Sequence, residues 1–492
     1  MSTSATTGAG GGGEAIAWQP CPLELGGTEN DAECATVELP VRWDRPDGDT
    51  IGVFVQRYLA RIEPAYRQLW MLQGGPGAAG DGYAPIVRAL AESDPSIDFY
   101  IPDHRGTGRS ARLGCPVEEA PESPEGTTIT DAEWPSCQEA VQTEWGDGLE
   151  GFSSMGASHD VAALIERTRE EKKIVALYGA SYGTTWGHRF LQLYPDTVDA
   201  VVLDSTNWPD RSYEDYDFLW DSVAHSLFNV CGVDAFCSSK LGPDPWNELA
   251  MLYADLETGH CPELTGVGLT KTLLGQVLAW MTAYGALRPA ALATVYRVRR
   301  CDPADQTAVV TAINALFGPG GLLAFDDALF SAVLSRHVLR SEIGREPVSA
   351  EAVAFASNCL VCIGAGSVPF DASWPRYPFD AAFQTWAETD TPLLIMNGSL
   401  DPFAPYFRLD QAGAADHFTA PTQHVVQMTL APHGSLFGSP SLDGTPCGLT
   451  LMLDFISNPT GNLDDACLTK FAAIDFTGDA VAPLFGTTDA WD

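Results

Sequence analysis

One serine in the chain has the surroundings of a catalytic nucleophile. Residues 179–183 spell GASYG, the single G-x-S-x-G pentapeptide, between an apolar run and a segment of helical periodicity. Small residues two before and two after a serine permit a strained turn that lifts the hydroxyl clear of a sheet beside a helix N-terminus. In another context the pentapeptide would be an ordinary turn. The strand–turn–helix context therefore predicts that Ser181 is a nucleophile.

A serine hydroxyl needs a general base, which an acid in turn orients. In sheets with this kind of nucleophile turn, the acid and then the histidine follow the serine, on loops at the carboxyl ends of strands. Asp401 follows the apolar run 392–396, and His433 follows the run 424–430. Both loops should emerge at the edge of the sheet that carries Ser181, so we predict a triad of Ser181, Asp401 and His433.

Other acids and histidines follow Ser181 and compete for these roles. His417 is one competitor, whereas His424 begins its predicted strand and so lies at the wrong end. Asp410 and Asp416 lie further from the end of their strand, in a segment with helical character. Position at a strand end therefore favours Asp401 and His433.

Negative charge that develops on a carbonyl oxygen during acyl transfer must meet preorganised backbone N–H groups. The residue after the nucleophile, Tyr182, should supply one. Gly75, in the glycine loop 74–77 that follows the apolar run 68–72, should supply the other. The loop could also be an ordinary tight turn. A phosphate-binding loop is disfavoured because no Lys-Ser/Thr follows it.

These residues require a sheet to position them. Apolar runs without polar alternation predict strands buried on both faces, and helical segments between them predict a mostly parallel central sheet flanked by helices, an α/β fold. The predicted strands cover residues 50–60, 68–72, 97–101, 173–178, 198–203, 392–396 and 424–430, with helices over 155–171 and 184–194. Between the predicted strands at 198–203 and 392–396, helices are predicted over 216–230, 245–257, 269–284 and 326–339.

We therefore divide the chain into four parts. Residues 1–14, rich in Gly, Ser, Thr and Ala, form a flexible tether without the features of a signal peptide. Residues 15–205 form the first part of the core, 206–388 a helical cap inserted before the last strands, and 389–492 the C-terminal part of the core.

Composition excludes several classes of partner. With 27 basic and 65 acidic side chains the net charge is −38, which repels phosphate backbones, so we expect no nucleic acid partner. Apolar residues make up 45% of the chain, enough for a large buried core. No apolar run is long enough to span a membrane. The oligomeric state stays open.

Twelve cysteines, spread as loose neighbouring pairs, predict local disulfides in an exported protein: secreted, periplasmic or at the cell surface. Cys359 and Cys362 could instead bind a metal or act as a redox pair, but no second pair and no βαβ context lies near them. We predict no metal and no other cofactor. The predicted pairs are Cys231–Cys237 first, then Cys21–Cys34, Cys115–Cys137 and Cys447–Cys467.

Three motifs in series resemble the prolyl/tripeptidyl aminopeptidase family of α/β-hydrolases. They are LQGGPG at 72–77, DHRGTGRS at 103–110 and GASYGT at 179–184. The resemblance extends over residues 50 to 470 and includes both Cys231 and Cys237, residues 397–401, and the PHG at 432–434. Two positions depart from the pattern: Gln73 stands where the family often has His or Asn, and His104 where it often has Pro. The resemblance implies an α/β-hydrolase with a helical cap that cleaves peptides from the N-terminus.

An enzyme of that kind must recognise a cationic α-amine, which a carboxylate in a dry pocket does well. Glu342 follows the apolar-periodic stretch 329–339, where the tripeptidyl branch resembles this chain with a comparable acidic position. We predict that Glu342 binds the substrate amine, with Asp215 and Asp217 as reserves. The alternatives are an esterase or other acyl hydrolase on a small non-peptide substrate, and a non-catalytic binding protein, which would be expected to lack part of the triad.

Overall fold

A nine-stranded sheet runs through the part of the chain that the structure describes. The computed structural model describes residues 15–120, 122–123, 129–318, 321–322, 329–344, 348–365 and 374–492. Its strands are β1 (Gln19–Cys21), β2 (Ala32–Pro40), β3 (Thr50–Tyr58), β4 (Arg67–Leu72), β5 (Ile97–Pro102), β6 (Ile174–Ala180), β7 (Ala200–Asp204), β8 (Leu393–Gly398) and β9 (Gln423–Met428). They lie in the order β1-β2-β3-β5-β4-β6-β7-β8-β9.

In this order the first three pairs, β1·β2, β2·β3 and β3·β5, are antiparallel. The remaining five pairs, from β5·β4 to β8·β9, are parallel. The register aligns the carboxyl ends of neighbouring strands: Leu72 pairs with Gly179, and Ala180 with Asp204. Further along, Asp204 pairs with Met396. The loops that follow β4, β6, β7, β8 and β9 therefore emerge together at one edge, as predicted.

Alternate residues of the central strands face opposite layers, because the side-chain period of a strand is two. One face, with Leu177 and Leu203, packs under a helical layer that includes Val161 and Phe190. The other face, with Tyr178 and Val202, packs against a different layer of helices. Both faces are buried, so these strands are the apolar runs that the sequence predicts.

The helices of the described chain lie between and after these strands. The α-helices are α1 (Ala84–Ser93), α2 (Trp134–Trp145), α3 (Ser154–Thr168), α4 (Tyr182–Leu193), α5 (Tyr216–Val233), α6 (Ala235–Leu241), α7 (Pro245–Glu257), α8 (Pro262–Gly266), α9 (Lys271–Ala283), α10 (Arg288–Arg300), α11 (Pro303–Phe317), α12 (Ala332–Val338), α13 (Ala350–Ala356), α14 (Tyr406–Gln411), α15 (Ala414–His417), α16 (Ser435–Gly438) and α17 (Cys447–Ser457). Shorter 3₁₀-helices cover Gly80–Tyr83, Gly146–Gly151, Tyr213–Asp215, Gly285–Leu287, Ala381–Gln384, Ala466–Thr469 and Asp479–Phe485, and a π-helix covers Leu339–Ile343.

The predicted insertion contains helices and no strand among its described residues, and it packs in two parts. Helices α5 to α11 enclose a core of their own, which also takes in Phe476 and Trp491 near the C-terminus. The stretch from α12 to the π-helix instead joins the core of the sheet through Val333, Leu334 and Val338. The exact bounds of the cap stay a prediction.

Arg105, from the motif at 103–110, ties the outer strands to the helical layer. Its fully buried guanidinium contacts both carboxylate oxygens of Asp160 in α3, at 2.5 and 2.7 Å. It also donates to the carbonyl oxygens of Pro40, Val41 and Gly151. A buried charge needs this degree of pairing, so the arginine of the motif has a structural role.

All twelve cysteines are paired in disulfides. The four predicted pairs are present, and Cys261–Cys301 and Cys359–Cys362 complete the set. No helix among the described residues combines the length and apolar character needed to cross a membrane.

The long loop closed by Cys261 and Cys301 should contribute more stability than the short one closed by Cys359 and Cys362. The paired residues are 40 apart in the first case and 3 apart in the second. From chain entropy we expect double Cys→Ser variants to lose about 4 and about 2 kcal/mol of unfolding free energy, respectively. Urea unfolding of both variants measures the difference, and equal losses would contradict the entropic origin.

Candidate active site

Ser181 lies in a strained turn between β6 and α4. Its backbone has φ +57° and ψ −126°, in a region that residues other than glycine rarely occupy. A Cβ atom at Gly179 would overlap the carbonyl oxygen of Gly183, and one at Gly183 would overlap that of Leu72. Both glycines of the pentapeptide are therefore required by close backbone approach, as a nucleophile turn demands.

Asp401 and His433 come together at the same edge of the sheet. Imidazole Nδ1 lies 3.0 Å from each carboxylate oxygen of Asp401. Asp401 is fully buried and also accepts hydrogen bonds from the backbone N–H groups of Phe403 and Ala404, at 2.9 and 3.1 Å. With Nδ1–H donating to the carboxylate, Nε2 is the nitrogen that can accept a proton.

The electrostatics keep Asp401 ionised. Burial alone would raise the pKa of Asp401, but the charge of His433 and hydrogen bonds from His433, Ser205 and the Ala404 backbone outweigh it. The pKa of Asp401 is therefore lowered from its ordinary 3.8. An anionic carboxylate is the form that orients an imidazole and stabilises its cation.

Ser181 is connected to this pair through the end of β7. Its backbone N–H donates to the carbonyl oxygen of Asp204 at 3.1 Å. The carboxylate of Asp204 accepts the N–H groups of Ser435 and Leu436, two and three residues after His433, at 2.8 and 2.9 Å. Among the described residues, His433 is hydrogen-bonded to Asp401 and not to Ser181 Oγ.

Ser205 is a site residue that sequence reasoning missed. It is fully buried, has φ +61°, and its hydroxyl bonds to Asp401 and accepts the Gly434 N–H at 2.8 Å. It therefore links the acid loop to the histidine loop. Gly434 lies 229 residues further along the chain, so no local pattern around Ser205 signals this role.

The glycine loop lies directly against the nucleophile. A Cβ atom at Gly74 would be 2.9 Å from Ser181 Cβ and 3.4 Å from Ser181 Oγ. Gly75 has φ +111° and Gly77 has φ +108°, which glycine adopts without strain. Tyr182 is the first residue of α4, where the N–H groups have no partner within the helix. Gly74, the neighbour of the predicted donor Gly75, and Tyr182, the other predicted donor, thus adjoin Ser181.

The two departures from the family pattern lie beside these donors. The side-chain oxygen of Gln73 accepts the N–H of Gly74 at 2.9 Å. His104 is buried, with Nδ1 2.6 Å from the carbonyl oxygen of Arg105 and Nε2 3.4 Å from the hydroxyl of Tyr182. Burial lowers the pKa of His104 to about 4, so this histidine is neutral near neutral pH.

Glu342 is buried in the π-helix and contacts α3. Its Oε1 accepts the N–H of Ser154 at 2.9 Å and the hydroxyl of Tyr377 at 2.5 Å. Its Oε2 is buried without a hydrogen-bond partner among the described residues. Glu342 lines a cavity of about 640 Å³. Among the described residues its hydrogen bonds run to Ser154 and Tyr377 and not to the triad.

The reserve acids are engaged elsewhere. Asp215 closes a capping box with Ser212 and lies 3.8 Å from Arg408. Asp217 accepts the N–H groups of Ile363 and Gly364, at 3.1 and 2.8 Å.

Comparisons with known proteins agree with the sheet topology. Residues 69–228 match the family model described as the alpha/beta hydrolase fold. The matched part contains the glycine loop and Ser181, and it ends before Asp401 and His433. With the strand order and this match, the chain has the α/β-hydrolase fold, as predicted.

Relatives of the predicted kind also match. The chain is 27% identical over 221 residues to the tripeptidyl aminopeptidase of Streptomyces coelicolor, covering 42% of this chain and 39% of that protein. It is 23% identical over 256 residues to the serine protease Hip1 of Mycobacterium tuberculosis, covering 47% of this chain and 48% of that protein. The match thus spans less than half the length of these relatives. The predicted resemblance to serine peptidases with this fold is confirmed at that level.

Solved structures show distant similarity over most of the chain. The proline iminopeptidase of Mycobacterium smegmatis is 14% identical, covers 81% of this chain and 91% of its own, and has a TM-score of 0.31. The epoxide hydrolase VrEH1 of Vigna radiata is 15% identical, covers 83% and 93%, and has a TM-score of 0.32. Similarity this low does not bear on the substrate.

The bridging role of Ser205 can be tested with Ser205→Ala. The variant leaves the buried N–H of Gly434 without an acceptor, so we expect a loss of about 2 kcal/mol in unfolding free energy. The pKa of Asp401 should rise, because the carboxylate loses a donor. In the wild type, the lowered pKa of Asp401 stabilises the fold above pH 3.8, and that stabilisation is lost as the pH falls through the folded-state pKa. In Ser205→Ala this pH-dependent part of the unfolding free energy should be smaller. Unfolding measured as a function of pH records both effects.

Ser439→Ala is the matched control. Ser439 is equally buried, accepts the N–H of Gly448 at 2.9 Å and donates to the carbonyl oxygen of Ser435 at 2.7 Å, away from Asp401. It should lose similar stability at neutral pH with an unchanged pH dependence. Identical pH profiles for the two variants would remove Ser205 from the acid's environment.

Proposed function

We propose that the protein is a secreted serine exopeptidase, an aminopeptidase of the prolyl or tripeptidyl type that acts through Ser181, His433 and Asp401. The observation that carries the proposal is the pairing of His433 with a buried, ionised Asp401 at the sheet edge that bears the strained Ser181. The relatives named tripeptidyl aminopeptidase and serine protease support the class of substrate. Six disulfides support export, because such bonds persist in oxidising compartments.

The mechanism is a two-step acyl transfer. Ser181 Oγ attacks the substrate's carbonyl carbon while His433 Nε2 takes the hydroxyl proton, and Asp401 stabilises the imidazolium. The N–H groups of Tyr182 and Gly75 hold the oxyanion of the tetrahedral intermediate. His433 then gives its proton to the leaving amine. Water, activated by the same histidine, releases the acyl group from Ser181.

Glu342 is our candidate for recognition of the substrate's amine. Its Oε2 is a buried carboxylate oxygen without a hydrogen-bond partner among the described residues, and such a group gains most from a cation. Arg189 already compensates part of its charge: burial lowers the pKa of Arg189 to about 10, and Glu342 opposes that shift. An ammonium group would add the hydrogen bonds that Oε2 lacks.

The nucleophile test uses Ser181→Ala and a fluorophosphonate probe. We expect wild-type protein to be labelled at Ser181 and to hydrolyse aminoacyl, prolyl or tripeptidyl anilides. Ser181→Ala should keep its melting temperature, resist labelling and lose on the order of 10⁴-fold or more in kcat. His433→Ala should lose a similar factor. Undiminished hydrolysis by Ser181→Ala would refute the mechanism.

The choice of substrate decides between peptidase and esterase. The same triad would cleave short acyl esters, so hydrolysis of esters alone does not distinguish them. We expect tripeptidyl or aminoacyl anilides with a free amine to be cleaved and their N-acetylated forms to be refused. Equal rates on free and acetylated anilides, or ester hydrolysis without peptidase activity, would turn the assignment to an acyl hydrolase of another kind.

The role of Glu342 is tested by Glu342→Gln, because an amide oxygen can still accept from Ser154 and Tyr377 while the charge is removed. We expect KM for free-amine peptides to rise about 10²-fold, because one charge-assisted hydrogen bond is lost. KM for a neutral ester should change little. Asp217→Asn, which keeps a comparable acceptor for the N–H groups of Ile363 and Gly364, is the comparison. Equal losses on peptide and ester would make Glu342 structural, and a peptide-specific loss in Asp217→Asn alone would move the amine site there.

A further inference from the structure

Arg288, at the start of α10, reaches from the cap to both loops of the acid–base pair. Its Nη2 donates to the carbonyl oxygen of Leu400, the residue before Asp401, at 2.7 Å. Its Nη1 donates to the carbonyl oxygen of Leu430, three residues before His433, also at 2.7 Å. Nε donates to Thr282 at the end of α9, at 3.2 Å. One guanidinium therefore joins three segments that are far apart in sequence.

The acid and histidine loops are already in contact with each other where Arg288 binds them. The N–H of Leu400 donates to the carbonyl oxygen of Ala431 at 3.1 Å, and the N–H of Leu430 donates to Ser399 Oγ at 2.9 Å. Leu430 has φ +57°, a conformation that persists in a bulky residue only where its surroundings enforce it. Arg288 caps the carbonyl side of this junction, so the spacing of the two loops depends on it.

The surroundings of Arg288 bury its guanidinium and keep it charged. Arg288 is only 2% exposed, and burial lowers its pKa to about 10 while the negative charge of Asp401 opposes that shift. The residue is therefore cationic at neutral pH. The preceding turn supports the same loop, since a Cβ atom at Gly285 would lie 3.0 Å from Cγ of Pro432, next to His433.

We propose that Arg288 is a positioning residue, through which the cap sets the geometry of Asp401 and His433. The inference rests on the proposed triad. Arginine suits the role because its planar fork presents two N–H donors to two carbonyl oxygens at once, which a lysine ammonium on a flexible stem does not reproduce. The cap is thereby part of the catalytic apparatus as well as a cover over it.

Arg288→Lys tests the geometry, since it keeps the charge and loses the fork. We expect kcat on a short p-nitrophenyl ester to fall about 10²-fold with little change in KM, and fluorophosphonate labelling of Ser181 to slow in parallel. A looser contact with Asp401 stabilises the imidazolium of the transition state less. The acidic limb of the rate–pH profile should then move to lower pH, because the protonated imidazole is less favoured. The other carboxylate that acts on His433, Asp204, is unchanged in this variant.

Arg297→Lys is the matched control. Arg297 lies in the same helix, is fully buried, and donates to the carbonyl oxygens of Ala490 and Asp489, at 2.7 and 2.9 Å, and to Asp305. It should lose comparable thermal stability while kcat and the acidic limb stay at the wild-type values. Gly285→Ala, which presses on Pro432 without touching a charge, should move the acidic limb in the same direction if Arg288→Lys does not fold.

The outcomes separate the inference from the function on which it rests. If Ser181→Ala abolishes activity but Arg288→Lys and Gly285→Ala keep the wild-type kcat and pH profile, the positioning role is wrong and the triad stands. Equal losses of kcat in Arg288→Lys and Arg297→Lys would also overturn it, because they would reflect stability alone. If Ser181→Ala retains activity, the proposed function itself fails.

Discussion

The carboxyl end of β7 is the point on which the candidate active site depends. Asp204 accepts the N–H of Ser181 with its carbonyl group and the N–H groups after His433 with its carboxylate. Ser205 bonds to Asp401 and to Gly434, and Asn207 donates to the carbonyl oxygen of Ser181 at 3.4 Å. Three residues within the stretch 204–207 thus touch all three loops of the triad. Parallel strands in register make this possible, because they deliver those loops to one edge.

Much of this arrangement is readable in the sequence, for a definite physical reason. Strands buried on both faces leave continuous apolar runs, so the central strands and their carboxyl ends can be located, and with them Ser181, Asp401 and His433. Strand β2 alternates buried and exposed residues and contains Glu33 and Glu38, and together with the three-residue β1 it escaped prediction. The periodicity of apolar residues predicts the helices but not their ends. For example, the helix predicted over 155–171 covers Ser154–Thr168 in the structure.

The contacts that the sequence could not supply are those between distant segments. Ser205, Arg288 and Asp204 look like an ordinary serine, arginine and aspartate in their local context, and their roles come from partners more than a hundred residues away. The packing of Val333 and Leu334 into the core of the sheet is of the same kind, since an amphipathic helix does not state which layer it covers. The burial of Glu342 against α3 follows from that packing and could not be expected from a charged residue type, which is usually exposed.

The disulfides leave the joint between cap and triad to weaker forces. Three of the six lie within the predicted cap, two within the first part of the core and one after His433, so none connects the cap covalently to the acid or histidine loop. That joint relies instead on apolar packing, on Leu400 inserted in the core of the cap, and on the buried hydrogen bonds of Arg288. A chain of net charge −38 repels itself, and exposed ion pairs offset little of that repulsion. Hydrogen bonds from buried arginines to carbonyl oxygens are less sensitive to salt than exposed ion pairs. They can therefore hold the triad's geometry at both low and high ionic strength.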